Sequence, residues 1–113
     1  MIEQISFTLG DVEKWLRSVQ PDEEFLKGHV NCCVIASYVG RRYRELYPGE
    51  PITVVTCGSS SRVFVGDHEV VEIVHSSDVH DFIPLWDRMR CNGTAGNTLI
   101  LIDTMYPMRT IPQ

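Results

Sequence analysis

Two adjacent cysteines, Cys32 and Cys33, stand at the predicted first turn of an amphipathic helix that runs from Asn31 or Cys32 to about Tyr47. Asn31 is a good N-cap, because its side-chain oxygen can accept a free N–H group of the first turn. Gly28, shortly before it, allows the chain to turn into the cap. A thiol in the first turn lies at the positive end of the helix dipole, which favours the thiolate. The pattern therefore predicts a nucleophilic cysteine.

The same spacing also fits a structural role for Cys32. Apolar residues recur at helical intervals and form one stripe, and a free cysteine often packs as a small hydrophobic residue. The stripe consists of Cys32, Ile35, Ala36, Val39, Tyr43 and Leu46. The helix alone therefore leaves two interpretations open, a nucleophile and a core residue.

A nucleophilic cysteine needs a base to take its proton and a third group to orient that base. His68 stands at the start of a predicted strand and His75 at its end, with opposite parity. Only one of them can face a given site unless a bulge intervenes. His29 is a further candidate beside the helix start. Asp103, at the end of the last predicted strand, is placed to orient an imidazole.

Three segments of this sequence resemble the papain-like cysteine hydrolases in the broad sense, a group that includes compact bacterial peptidases and papain-fold toxin and deamidase domains. Residues 31–36 (NCCVIA) resemble the start of the cysteine helix, 66–71 (GDHEVV) the histidine strand, and 102–104 (IDT) the strand that ends in aspartate. The resemblance implies catalytic roles and supporting roles near the oxyanion. The catalytic residues would be Cys32 as nucleophile, His68 as general base and acid, and Asp103 as orienting group; the supporting residues would be Asn31, Cys33 and Gln20.

The remaining pattern predicts an α+β fold, with N-terminal helices packed on a largely antiparallel sheet of about four strands in a papain-like core order. A capping box at Thr8–Asp11 predicts a first helix to about Val19, and Pro21 predicts a second short helical turn. The predicted strands are 52–57, 62–65, 69–75 and 98–103. A further helix is predicted after a cap at Ser76, Ser77 or Asp78, with a kink at Pro84 or a start near Ile83.

The length of 113 residues predicts a single domain, 1–113, and the composition of 43% hydrophobic and 22% charged residues is ordinary for a globular protein. We expect a cytoplasmic protein, because the sequence contains no membrane-spanning run and no signal-peptide pattern, although specialised export stays open. Reduced thiols are expected. No cofactor is expected, since residues 58–61 lack the lysine of a phosphate loop. No metal is expected either, because the His75–Asp81 stretch has no second ligand motif.

The net charge of −5 argues against direct binding of nucleic acid, so we expect a protein substrate or a protein partner, in an oligomeric state that is not predicted. The first functional hypothesis is a small thiol-dependent amide hydrolase or glutamine deamidase, of the kind found in toxins and effectors. The alternative is a non-catalytic acidic inhibitor or adaptor from a phage or mobile element, for example one that blocks a nucleic-acid-binding defence complex.

Overall fold

The computed structural model describes residues 6–28 and 33–105. It is an α+β fold in which four helices accompany a three-stranded antiparallel sheet. In chain order the elements are α1 (Leu9–Leu16), α2 (Val34–Leu46), β1 (Ile52–Thr56), β2 (Ser60–Val65), β3 (His68–Val74), α3 (Ser77–Asp87) and α4 (Ala95–Met105). Across this part of the chain, every helix falls short of the length and apolar character that crossing a bilayer requires.

The sheet is a simple meander in the order β1-β2-β3, as the three β-branched runs of the sequence predict. Ile52 pairs with Val65, and Val65 pairs with His68, so these residues mark one end of the sheet. Thr56 pairs with Ser61 near the other end. The turn between β2 and β3 contains Gly66, whose φ of 59° lies in the left-handed region that glycine adopts without strain.

Helix α2 packs on the sheet with its apolar face against β1 and β2. The alternating residues Ile52, Val54 and Thr56 are buried, as the period of two in a strand requires for the covered face. The link between α2 and β1 is a short turn, so the two elements run in opposite directions. The beginning of α2 therefore lies beside the end of β1.

The prediction that α2 begins at Asn31 or Cys32 with Asn31 as N-cap is wrong, since the helix begins at Val34 and its N-cap is Cys33. The backbone of Cys33 is extended (φ −71°, ψ 171°), which is the conformation of a flanking residue rather than of a helical one. Its side chain is buried in the core. The helix thus begins after a buried residue whose side chain makes no capping hydrogen bond.

The N-terminal part confirms the capping box. Thr8 Oγ1 accepts from the Asp11 amide, and the Asp11 carboxylate accepts from the Thr8 amide. The helix ends at Leu16 rather than near Val19. Pro21 lies in a single hydrogen-bonded turn, in which the Glu23 amide donates to the Gln20 carbonyl at 3.0 Å. The helical turn predicted to continue to Gly28 does not form, because the backbone of residues 21–25 is hydrogen-bonded to residues 93–96 instead.

Helix α3 has the predicted N-cap, Ser76, but continues through Pro84 instead of starting near Ile83. Val79, Phe82 and Trp86 are buried at helical spacing on its inner face. Pro84 is exposed. Proline has no N–H group, so one backbone hydrogen bond of the helix is missing at this position. Burial of the apolar face stabilises the helix despite this missing bond.

The predicted fourth strand, Thr98–Asp103, is wrong: this segment lies within helix α4. Ala95, Thr98 and Ile102 recur at helical spacing and are buried, while Ile100 is exposed. Thr94 starts the helix by accepting a hydrogen bond from the Asn97 amide. Because α4 packs against α1 and α3, tertiary packing overrides the strand preference of the Leu-Ile-Leu-Ile run.

Candidate functional site

A pocket of about 170 Å³ lies where α2 begins and β1 ends. Cys33 contributes to it from the N-cap of α2, and Cys57 contributes from the turn between β1 and β2. Trp86 and Asp87, at the end of α3, line another wall. Two thiols from separate elements therefore share one small, largely apolar pocket.

The Cys33 thiol is buried, and burial raises its pKa above the ordinary value. The negative charge of Asp87 acts in the same direction. The backbone amides of Ile35 and Ala36 lower the pKa, as a helix N-terminus should, although the thiol makes no capping hydrogen bond. Since desolvation is the largest effect, Cys33 stays a neutral thiol at pH 7.

Cys57 has the opposite environment. It is exposed, and its Sγ lies 3.6 Å from Ser60 Oγ and 3.7 Å from Ser59 Oγ. The hydroxyl of Ser60, followed by the amide and hydroxyl of Ser59, lowers the pKa of Cys57 to about 7. About half of this thiol is therefore thiolate at neutral pH. Cys57 is therefore the more acidic of the two thiols that line the pocket, and in its protonated form it donates to the Ser60 carbonyl oxygen at 3.4 Å.

A buried histidine supports the turn that carries Cys57. His75 Nδ1 lies 3.1 Å from the Gly58 carbonyl oxygen, and Nε2 lies 2.7 Å from Ser61 Oγ. A carbonyl oxygen only accepts, so Nδ1 carries the proton and the Ser61 hydroxyl donates to Nε2. Thr56 Oγ1, 2.8 Å from Ser61 Oγ, continues the chain of hydrogen bonds. Burial lowers the pKa of His75, so the ring is neutral.

His68, the predicted general base, lies at the other end of the sheet. It is exposed and pairs with Val65 beside Ile52, near the end of α2. Ile73, the partner of Ser61, lies five positions after His68 on β3, which corresponds to about 17 Å of strand. The structure thus brings His75 to the end of the sheet that carries Cys33 and Cys57, and keeps His68 away from it.

The other predicted site residues are dispersed or outside the described part. Asp103 is exposed on α4, because a helix turns it away from the buried Ile102 next to it. Gln20 is exposed before the 21–25 segment. Asn31 and Cys32, with the alternative base His29, lie outside the described residues.

Sequence reasoning missed Cys57 because it treated residues 58–61 only as a flexible turn. The available signal was a cysteine directly followed by glycine and three serines. Hydroxyl groups in a tight turn can donate hydrogen bonds to a thiolate, which lowers the pKa of the thiol.

Within residues 6–28 and 33–105, no group of three or more His, Cys, Asp or Glu side chains is placed to hold a metal ion. No protein-family model, curated protein or solved structure matches this chain.

Proposed function

We propose that the protein is a thiol-dependent amide hydrolase or glutamine deamidase that acts at the pocket between α2 and the β1–β2 turn. The observation that carries the proposal is the environment of Cys57, an accessible thiol on the pocket wall with a pKa of about 7. Such a thiol attacks carbonyl carbon without a base to deprotonate it first.

The reaction that fits this pocket is acyl transfer. The Cys57 thiolate adds to the amide carbonyl carbon, the C–N bond breaks, and the leaving nitrogen takes a proton from a water molecule and departs as an amine or ammonia. The hydroxide formed from that water adds to the thioester, the C–S bond breaks, and the carboxylic acid leaves as the thiolate is regenerated. His75 is a positioning residue in this scheme, because its Nδ1–H holds the Gly58 carbonyl next to Cys57.

The papain-like assignment is an alternative arrangement for the same reaction class, with a different nucleophile. In it Cys32 is the nucleophile, His68 the base and Asp103 the orienting group, in a cytoplasmic enzyme that acts on a protein. A long helix followed by antiparallel strands is compatible with such a core. The position of His75 at the pocket end of the sheet favours it over His68 as the histidine of the site.

Acetylation by p-nitrophenyl acetate at pH 7 tests the proposal. We expect repeated turnover, with an acetyl thioester on Cys57 detectable by mass spectrometry, and we expect C57S to abolish it. Cys91 is also exposed and free, so C91S is the matched control that should keep full activity. A single stoichiometric acetylation without turnover, or equal losses in C57S and C91S, would refute hydrolysis at this pocket.

The variant C32S distinguishes the two nucleophiles. Loss of turnover in C32S with activity retained in C57S would support the papain-like assignment over the one centred on Cys57. Release of ammonia from glutamine-containing peptides, measured with the same variants, identifies deamidation as the reaction.

A second function is favoured by the histidines themselves. Both ring nitrogens of His75 are already hydrogen-bonded, and His68 is far from the pocket. A protein without catalytic activity needs no histidine that is free to exchange a proton with a substrate, so this arrangement is compatible with a non-catalytic function. With a net charge of −5, such a protein would act as an acidic inhibitor or adaptor that docks on a basic partner. Its complex would weaken with added salt and would be unchanged in C57S and C32S.

A further inference from the structure

A second groove, of about 410 Å³, lies between residues 23–26 and helix α2, and it shares no lining residue with the thiol pocket. Phe25, Ala36 and Val54 give it an apolar floor. Trp15 lines one side. The volume is within the range of pockets that take small organic ligands, about 300–1,000 Å³.

The two walls of this groove carry opposite charges. Glu23 and Glu24 line one wall. Ser37, Arg41 and Arg44 line the other, at spacings of four and three residues that place them on one face of α2. Among the described residues no ion pair within 4 Å joins the two walls.

The backbone keeps the walls apart. The Phe25 amide donates to the Gly93 carbonyl at 2.8 Å, and the Ala95 amide donates to the Glu23 carbonyl at 2.8 Å. These bonds fix the acidic segment to the start of α4, while the arginines are fixed by α2. The backbone of each charged wall is therefore held by its own hydrogen bonds, and no ion pair within 4 Å joins the walls among the described residues.

The two arginines of the groove make few strong hydrogen bonds within the protein. Arg41 makes an exposed ion pair with Glu45, which is worth little in water. The Arg44 guanidinium donates only a long bond, 3.4 Å, to the Ile52 carbonyl. A guanidinium binds a carboxylate through two parallel hydrogen bonds, which is a much better partner.

We propose that this groove binds a short peptide with free ends, its ammonium group against Glu23 and Glu24 and its carboxylate against Arg41 and Arg44. The groove carries opposite charges on its two walls over an apolar floor, and such a zwitterion carries opposite charges at its two ends. The Ser37 hydroxyl donates to the carboxylate or to a peptide carbonyl. This inference rests on the groove alone and is independent of the thiol chemistry.

Nuclear magnetic resonance of the full chain tests the proposal, with tri-alanine as the probe. The Trp15 indole N–H is buried without an acceptor among the described residues, so its signal is sensitive to changes at the groove. The Trp86 indole donates to Thr98 Oγ1 and lines the thiol pocket instead, so it is the internal control. We expect a saturable shift of the Trp15 signal and no shift of the Trp86 signal.

The ends of the peptide and the two walls are then varied separately. N-acetylation or C-amidation of tri-alanine should weaken binding about tenfold or more, because each removes one charged end. The variants R44Q and E24Q should weaken binding similarly, whereas R90Q and D81N, exposed charges outside the groove, should not. Absence of a saturable shift up to tens of millimolar would overturn the proposal, as would equal binding of the capped peptides.

Discussion

Cys33 and Cys57 line the same pocket, yet the pKa of Cys33 is raised and that of Cys57 is lowered to about 7. Cys33 has the position that is expected to activate a thiol, the N-terminus of a 13-residue helix. Cys57 has only a short turn around it. The thiol at the helix end has the raised pKa, and the thiol in the irregular turn has the lowered one.

The difference shows that solvation decides between these two thiols. The helix amides do lower the pKa of Cys33, but burial outweighs them. Around Cys57 the solvent remains, and the Ser60 and Ser59 groups add hydrogen bonds to the thiolate at little desolvation cost. At the start of α2, burial of the sulfur therefore outweighs the effect of the helix N-terminus on the pKa of Cys33.

The largest expected effect is the ratio of alkylation rates. With iodoacetamide at pH 7, Cys57 should react more than about 100-fold faster than Cys33, because Cys33 must first be exposed by local opening. Peptide mapping by mass spectrometry after quenching at successive times measures both rates in one sample.

Unfolding provides the control for this ratio. In denaturant the two thiols should react within a fewfold of each other, since the folded environment is gone. Comparable rates in the folded protein would contradict the contrast between the two sites. Cys91, which is also exposed, shows how much exposure alone contributes.

The next effect concerns His75, which holds the Gly58 carbonyl beside Cys57. Burial, with a smaller contribution from the charge of His80, places the folded-state pKa of His75 below its unfolded value. The unfolded chain then binds the extra proton, so the free energy of unfolding falls as the pH is lowered through about 6.5. The slope from this one group is at most about 1.4 kcal/mol per pH unit.

The variant H75N tests that slope, because asparagine can still donate to the Gly58 carbonyl but cannot titrate. Urea unfolding at pH 7.5, 6.5 and 5.5 should show a loss of stability in the wild type that is smaller in H75N. An identical pH dependence in both proteins would show that His75 does not titrate on unfolding. The midpoint at pH 7.5 reports any loss of packing separately.

Much of the fold was predictable because local signals agreed with tertiary packing. The capping box at Thr8–Asp11, the cap at Ser76 and the three β-branched runs are each set by neighbouring residues. The run from Thr98 to Asp103 was not predictable in the same way. A short apolar segment fits a strand or a buried helix equally well, and here the faces of α1 and α3 decide.

The candidate site was harder to predict than the fold. The parity of His68 and His75 could be read from the sequence, but the end of the sheet that each would occupy depends on the direction of α2 relative to β1. The pKa of Cys57 is lowered by Ser59 and Ser60, which belong to the same turn. Patterns that predict strands carry no information about hydrogen bonds inside such a turn. The helix start predicted to activate a thiol instead buries Cys33.

The smallest expected effect is the difference between Ser59 and Ser60 in how far each lowers the pKa of Cys57. The Ser60 hydroxyl makes the largest contribution to the lowered pKa of Cys57, ahead of the amide and hydroxyl of Ser59. If S60A raises the pKa of Cys57 by about one unit, the thiolate fraction at pH 7 falls from about half to about a tenth, and the alkylation rate falls about fivefold. S59A should lower the rate less. A pH titration of the alkylation rate gives the pKa directly, and a larger shift in S59A than in S60A would mean that the Ser59 hydroxyl, rather than the Ser60 hydroxyl, contributes most to stabilising the thiolate.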